Sequence, residues 1–201
     1  MFELPRSLSL ALILTSVLSL PSNAQETAPA EPAPAVDGTG LAMGQEAPQV
    51  TEPYIKETYG DWQLRCLKTQ DGSDPCEIYQ LLKDAKGNAV AEVTMLALPD
   101  GSQAAAGSTI VVPLETLLPR QLQVAIDANK PKFYPFTFCT PVGCFSRIGF
   151  TADEIEGLKK GTKATVSVVP MVAPDKLVSV DISLKGFTDA YDAVKAERPK
   201  P

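Results

Sequence analysis

The chain has 201 residues, 44% of them hydrophobic, which is enough for one ordinary domain with a packed core and some additional sequence. Its net charge of −6 argues against a protein that binds nucleic acid through phosphate contacts. Histidine is absent, which excludes histidine-based catalytic triads, histidine general acids and histidine-ligated metal sites. The composition therefore favours a binding or structural domain.

The first 24 residues have the three parts of a secretory signal peptide. Arg6 supplies the positive charge, residues 8–20 form an apolar run, and Ser22, Asn23 and Ala24 offer the small residues that signal peptidase requires. A membrane anchor is the alternative, but a helix that spans a bilayer needs about 20 apolar residues. We therefore predict export, cleavage after Ala24 and no transmembrane helix in the cleaved chain.

Residues 25–56 have a different composition from the rest of the chain. They contain five prolines, six alanines and three glycines, and five acidic residues against one basic residue. Because little of this segment can be buried to offset the entropy of ordering it, we predict a disordered, acidic, Pro/Ala-rich linker. A peptide that a partner recognises is the alternative.

From residue 57 the sequence changes to short runs in which apolar and polar residues alternate, a pattern typical of β-strands. Turn residues separate these runs at 84–88, 99–101 and 173–176. About nine strands are expected, at residues 62–66, 78–82, 89–98, 110–114, 122–126, 133–138, 144–148, 164–169 and 177–184.

Two short helices are predicted among the strands. Thr151 and Glu154 have the spacing of a capping box at a helix start, and Gly161 is expected to end that helix in a left-handed conformation. Phe187 begins a second helix with one apolar stripe. Many strands with few helices predict an all-β domain, an immunoglobulin-like two-sheet β-sandwich over residues 57–195, followed by a tail at 196–201.

Four cysteines remain after the predicted cleavage, namely Cys66, Cys76, Cys139 and Cys144. An even number in an exported chain favours disulfides, and of the three possible pairings sequence proximity favours Cys66–Cys76 and Cys139–Cys144. Structural zinc is an alternative, although the spacings do not match paired CxxC motifs. A redox-active dithiol is another, although CxxC is absent.

Aromatic side chains are the main candidates for ligand contacts. Trp62 is a possible ligand platform, but a single Trp beside a disulfide is more often part of the core. Tyr134, Phe136 and Phe138 share one face of a predicted strand and are candidates for binding a sugar or a peptide. Alternation along that strand favours the core for these rings too.

Charged residues give weaker candidates. A carboxylate cluster in the first helix is conceivable as a catalytic set, but acidic residues in a first turn are explained by the helix dipole. We therefore assign no catalytic, cofactor-binding or metal-binding residue. The carboxylates are Asp153, Glu154 and Glu156, and a small basic patch is formed at most by Arg120, Lys130 and Lys132.

The order of several motifs resembles the invasion-associated locus B family of secreted bacterial proteins, from about Thr58 to Val194. Any one of these motifs is common, but their ordered combination after a signal peptide is fairly specific. The matching stretches are Gly60-Asp61-Trp62 with Cys66 and Cys76, Val112-Pro113-Leu114 before Leu117-Leu118, residues 122–127, residues 139–144, Leu158-Lys159-Lys160-Gly161, and residues 184–190.

The resemblance implies a disulfide-linked sandwich in the periplasm or outer envelope of a Gram-negative bacterium, associated with host-cell invasion or envelope function. It supplies no catalytic residues. Our hypothesis is a non-enzymatic envelope protein that binds a protein or surface partner, without a cofactor. The alternatives are a periplasmic glycan or small-molecule binder that uses Trp62 or Tyr134, and a hydrolase without histidine.

Overall fold

The structure is a computed structural model that describes residues 52–70 and 72–198. The predicted signal peptide, residues 25–51 of the predicted linker and residues 199–201 of the predicted tail lie outside the described residues. In the described part, two antiparallel sheets pack face to face around one apolar core, with two α-helices. The predicted two-sheet β-sandwich with two short helices is confirmed.

The larger sheet has seven strands in the order β1-β2-β3-β4-β5-β9-β8. Its inner face carries the alternate apolar side chains that the sequence pattern indicates. The strands are β1 (Tyr54–Tyr59), β2 (Trp62–Cys66), β3 (Cys76–Lys83), β4 (Ala89–Ala97), β5 (Ala106–Val112), β8 (Phe138–Thr140) and β9 (Gly143–Phe150).

The smaller sheet has four strands in the order β11-β10-β6-β7, so β11 and β7 are its edges. The two helices follow the predicted pattern, and each buries one apolar face. The strands are β6 (Leu122–Ile126), β7 (Lys132–Tyr134), β10 (Lys163–Val168) and β11 (Val178–Ser183); the α-helices are α1 (Ala152–Lys160) and α2 (Phe187–Ala196), and a short 3₁₀ helix covers Leu118–Arg120.

Both disulfides link neighbouring strands of the seven-stranded sheet. Cys66 of β2 is joined to Cys76 of β3, and Cys139 of β8 to Cys144 of β9. In each case the two cysteines are directly opposite each other in the strand register. These are the pairings that sequence proximity favours, and they leave no free cysteine in the described residues.

The described residues form eleven strands where about nine were expected, and several strand boundaries differ; β5, for example, covers Ala106–Val112 instead of 110–114. Three further differences concern the ends of the domain and one broken strand. Strand β1 begins at Tyr54, so three residues assigned to the linker belong to the domain. The expected strand at 133–138 is broken, because the chain leaves the small sheet after Tyr134 and joins the large sheet at Phe138, with Pro135 between them. Helix α2 includes Ala196, and Arg198 beyond it donates a hydrogen bond to the Leu98 carbonyl.

The end of α1 also differs from the prediction. The capping box of Thr151 and Glu154 is present, but Gly161 has φ −74°, which is not left-handed. A Cβ atom at Gly161 would lie 2.9 Å from both the Gly157 carbonyl oxygen and the Asp127 carboxylate. Gly161 is therefore required by the close approach of neighbouring groups, not by its backbone angles.

Candidate binding cleft

Strand β11 is attached to the large sheet at its C-terminal end. The Ser183 backbone N–H donates to the side chain of Gln80 at 2.8 Å, and the Ser183 carbonyl accepts from the Gln80 amide at 3.0 Å and from the Trp62 indole at 2.8 Å. The Ser183 hydroxyl donates to Asp61 at 2.6 Å. We call this contact, formed by Trp62, Gln80 and Ser183 with Asp61, the tied end of β11.

Two glycines allow the backbones to meet beside the tied end. Gly60 and Gly186 have φ +58° and +82°, and the Asp61 N–H donates to the Lys185 carbonyl at 3.1 Å. A Cβ atom at Gly186 would lie 2.2 Å from the Tyr59 carbonyl oxygen. Gly60 and Gly186 belong to two of the stretches that match the family, Gly60-Asp61-Trp62 and residues 184–190. These two stretches, far apart in the chain, therefore meet in one structural junction.

An apolar cleft opens between the two sheets beside the N-terminal half of β11. It has a volume of about 280 Å³. Its lining includes valines of the small sheet, residues from the end of the large sheet, and residues of the two segments that follow β5 and β10. The lining residues are Asp84, Val90, Ala91, Val112, Pro113, Leu114, Glu115, Thr116, Val166, Val168, Pro170, Val172, Val178, Ser179 and Val180.

Apolar side chains are exposed around this cleft. Val172 is 83% exposed, Val178 52% and Leu114 48%, and all three line it. Met171 and Leu177, next to them in the chain, are also more than half exposed. We call Leu114, Val172 and Val178 the rim of the cleft. Exposed apolar side chains grouped around one cleft mark an interaction site more often than single exposed side chains do.

Trp62, a sequence candidate for ligand binding, lies in the core. It is 1% exposed, its ring packs edge-on against Phe187 at a centroid distance of 5.3 Å, and its N–H is satisfied by the Ser183 carbonyl. No face of this ring is available to a ligand. The structure thus excludes Trp62 as a platform and gives it the role of a core anchor.

The three aromatic residues predicted to share a strand face are separated. Tyr134 and Phe136 are half-buried and pack against the core, whereas Phe138 is 48% exposed and stacks on Phe145 at 4.7 Å between centroids. The prediction of a shared face is wrong because the strand breaks between β7 and β8. Burial and the neighbouring Glu154 carboxylate raise the pKa of Tyr134 to about 12.

Among the candidate carboxylates, Glu154 has a structural role. It accepts hydrogen bonds from Lys132 at 2.8 Å and from the Thr151 backbone at 2.8 Å. Burial by itself would raise its pKa, but the hydrogen bonds from Lys132 and Thr151 outweigh burial and hold the pKa below the usual value. Asp153 and Glu156 are exposed on the same helix. Glu154 is therefore a capping and ion-pairing residue.

The other candidate residues do not come together. Lys132 pairs with Glu154, Lys130 is exposed in the turn before it, and Arg120 lies in the separate 3₁₀ helix. Within residues 52–70 and 72–198, no group of three or more acidic or cysteine side chains is arranged to hold a metal ion. No helix in the same ranges is long and apolar enough to cross a membrane.

Sequence reasoning missed the cleft. Its side chains are the ordinary apolar residues of strands β5, β10 and β11 and of two loops, so their composition predicts core. One signal was present, because Met171, Val172, Leu177 and Val178 flank a turn where polar residues are more usual. That apolar hairpin is the feature that points to a surface contact.

Comparison with known proteins agrees with the family resemblance of the sequence motifs. The family described as "Invasion associated locus B (IalB) protein" matches residues 62–195. Invasion protein B homologs from two strains of Brucella abortus, strain 2308 and biovar 1 strain 9-941, are each 28% identical over 143 residues, which cover 71% of this chain and 80% of the homolog.

A solved structure has the same fold. The crystal structure of invasion associated protein b from Bartonella henselae aligns with a TM-score of 0.61 at 22% identity, and the alignment covers 70% of this chain and 94% of that one. At this identity the likeness establishes the fold alone.

Proposed function

The chain belongs to the invasion associated locus B family, and from this premise we propose that it is an exported, non-enzymatic protein of the bacterial envelope that binds a partner protein at the apolar cleft. The observation that carries the proposal is the exposure of the rim, since Val172, Val178 and Leu114 are each about half exposed or more. Covering apolar side chains that are exposed in one group is favourable, because it removes apolar surface from water.

The chemistry of the cleft supports binding over catalysis. The lining has two acidic residues, Asp84 and Glu115, among mostly apolar ones. The Asp84 carboxylate accepts hydrogen bonds from the Asn88 side chain and backbone and from the Lys86 N–H. These bonds lower the pKa of Asp84, and those from Asn88 have the largest effect. Asp84 therefore stays an anion and is a poor proton acceptor at neutral pH.

Two features support export. The disulfides Cys66–Cys76 and Cys139–Cys144 are of the kind that persist in oxidising compartments. The predicted signal peptide at residues 1–24 accounts for how the chain reaches such a compartment. The names of the Brucella and Bartonella relatives connect those proteins with invasion, and we propose the cell envelope or its contact with a host surface as the setting here.

Site-specific photo-crosslinking in intact envelopes tests the proposal. A photoreactive residue at Val172 of the full-length chain is expected to capture a defined partner protein, because this side chain is 83% exposed at the rim. The matched control is Leu96, an apolar side chain that is 43% exposed. Leu96 lies on the outer face of the large sheet, since its neighbours in β4, Met95 and Ala97, are buried.

The control makes the outcomes distinct. Capture from Val172 and not from Leu96 supports a partner at the cleft. Equal capture from both positions would indicate contact with general surface, and no capture from Val172 under several growth conditions would count against the proposal.

A further inference from the structure

The backbone of β11 has a free edge next to the cleft. At Ser183 both the N–H and the carbonyl are bonded to Gln80 and Trp62 of the large sheet, so they point away from strand β10. In an antiparallel pair, alternate residues of a strand direct their backbone groups to the same side. The N–H and carbonyl groups of Ser179 and Asp181 therefore also point away from β10.

Among the described residues, that edge has no neighbouring strand. Strand β11 is the last strand of the four-stranded sheet, and Ser179 and Asp181 are exposed. In the described part of the chain, no backbone hydrogen bond from another element reaches the main chain of either residue. Two donors and two acceptors thus form an open template for a further strand.

The cleft continues along this edge into a second depression. The apolar cleft is lined by Val178, Ser179 and Val180, and a polar groove of about 530 Å³ is lined by Asp181 and Ser183, the next residues along the strand. Together they follow the full length of β11, which at the rise of an extended strand is about 20 Å. Because the Ser183 backbone is already bonded to Gln80 and Trp62, the open part of this strip fits a paired stretch of about five residues.

The side chains of such a peptide would alternate in direction. Val178 and Val180 point into the cleft, so a strand paired with β11 directs every second side chain to the same place. The cleft volume of about 280 Å³ is nearly twice that of a cavity of roughly 150 Å³ that binds benzene. It therefore has room for about two side chains of the size of valine or leucine.

Charge adds a further restriction. Two of the fifteen residues that line the cleft are charged, and both, Asp84 and Glu115, are acidic. A basic residue next to the apolar positions of the peptide is complementary to them.

We infer that the cleft and the free edge of β11 together bind an extended peptide of a partner protein, which adds to the small sheet as a fifth strand and places alternate apolar side chains in the cleft, with a basic residue near Asp84 or Glu115. This inference rests on the proposed function and specifies its binding mode, which is β-strand addition. A lipid acyl chain fills an apolar cleft but makes no use of the backbone groups of Ser179 and Asp181.

A synthetic peptide provides the probe. It has seven residues, with valine at positions two, four and six, threonine at positions three and five, and lysine at both ends. The control peptide has the same composition with its three valines adjacent. Binding to the protein produced from the full-length chain is measured by NMR titration and by amide hydrogen exchange. The alternating peptide is expected to slow exchange at Ser179 and Asp181, and the control peptide to bind at least several-fold more weakly.

Two variants at one position distinguish the contribution of the backbone N–H to peptide binding from that of the side chain. Ser179→Pro removes the outward N–H, whereas Ser179→Ala removes only the hydroxyl that contacts Ser167 at 2.7 Å. Proline is tolerated on an edge strand at a position where the N–H of any other residue would face solvent. We expect Ser179→Pro to weaken peptide binding about tenfold, which corresponds to the loss of roughly one hydrogen bond worth about 1.4 kcal/mol. We expect Ser179→Ala to weaken peptide binding less than about threefold.

If Ser179→Pro does not fold, a series of peptides takes its place, each N-methylated at a different single backbone amide. We expect methylation to weaken binding at every second position of the peptide. Equal binding by the proline and alanine variants, or by the two peptides, overturns the inference. So do shifts of the Val178 and Val180 methyl signals that phosphatidylglycerol vesicles cause and the peptide does not, or a dimer that Ser179→Pro dissociates. Crosslinking from Val172 that is undiminished in Ser179→Pro keeps the proposed function and overturns this binding mode.

Discussion

Strand β11 is fixed at one end and open at the other, within six residues. At the tied end, Ser183 makes hydrogen bonds to Gln80 and Trp62, and Gly186 lies against the backbone at Tyr59. At the open end, the backbone at Ser179 faces solvent beside an apolar cleft. One strand thus belongs to the rigid scaffold at one end and to a candidate interface at the other.

The difference separates what two of the family motifs do from where a partner is expected to bind. The stretches Gly60-Asp61-Trp62 and residues 184–187 meet at the tied end, where they satisfy backbone groups and fill the core. Of the rim, Val172 and Val178 lie outside the stretches that match the family, whereas Leu114 belongs to Val112-Pro113-Leu114. Binding surfaces are commonly carried by loops and edges that a rigid scaffold positions.

The largest expected effect comes from reducing the disulfides, which lie in the sheet to which the tied end is attached. The chain-entropy estimate for loops of this length is roughly 2–3 kcal/mol for each bridge, so reduction of both is expected to lower the free energy of unfolding by about 5 kcal/mol. Denaturant melts with and without reductant measure the loss. Unchanged midpoints would show that the scaffold does not depend on the bridges.

Truncation of a core ring comes next. Phe187→Ala, at a side chain that is 1% exposed and packs on Trp62 and Tyr191, is expected to cost about 3–5 kcal/mol through loss of buried area and a cavity. Val178→Ala at the rim, where the side chain is 52% exposed, is expected to cost less than about 1 kcal/mol. Trp62 fluorescence reports both unfolding curves, and similar losses would remove the distinction between the two ends.

Two glycines of nearly equal φ test the backbone junction. Gly186→Ala and Gly87→Ala each introduce a side chain at φ above +80°, but only at Gly186 would the new Cβ meet backbone atoms; at Gly87 nothing lies within 4 Å. We expect a loss of about 1–2 kcal/mol at Gly87 from the left-handed conformation alone and at least about 2–3 kcal/mol at Gly186. Equal losses measured by denaturation would mean that the close approach to Tyr59 is unimportant.

The smallest effect is expected at the opposite edge of the small sheet, where Lys132 of β7 pairs with Glu154. Folding lowers the pKa of Glu154 from its ordinary value of 4.5. Its carboxylate therefore stabilises the protein at pH values above 4.5, and this contribution is lost as the pH falls through the folded-state pKa. Glu154→Gln is expected to cost about 1 kcal/mol at neutral pH and to reduce the loss of stability on acidification. Unfolding free energies at pH 7 and pH 3 test both statements.

The matched control for this charge is Glu156→Gln on the same helix. Glu156 has a side chain that is 55% exposed and is 3.6 Å from Lys160, so its removal is expected to change stability by less than about 0.5 kcal/mol at either pH. If the two variants behave alike, the pairing of Glu154 with Lys132 and the helix cap contributes nothing specific.

Local sequence was sufficient for the elements whose signals are local. Strand β6 has the predicted bounds, the cap formed by Thr151 and Glu154 is present, and α2 buries its predicted stripe. Strand β1 was missed because its residues are almost all exposed and follow Pro53, which leaves no buried alternation to detect. The pattern of residues 133–138 does not predict the break after Tyr134, because it resembles one strand, whereas Pro135 lies where the chain crosses from one sheet to the other.

The sequence alone determined the β-rich class of the domain, the two cysteine pairs favoured by proximity and the resemblance of its motifs to the family, because each depends on residues that are close in the chain or on their order. Only the tertiary structure decided that Gly60 meets Gly186, that Trp62 is buried, and that valines from both sheets leave a cleft beside an open edge. The physical reason is that a gap between two sheets, and the direction of an unpaired backbone group, depend on how distant strands are placed and on no property of any one strand.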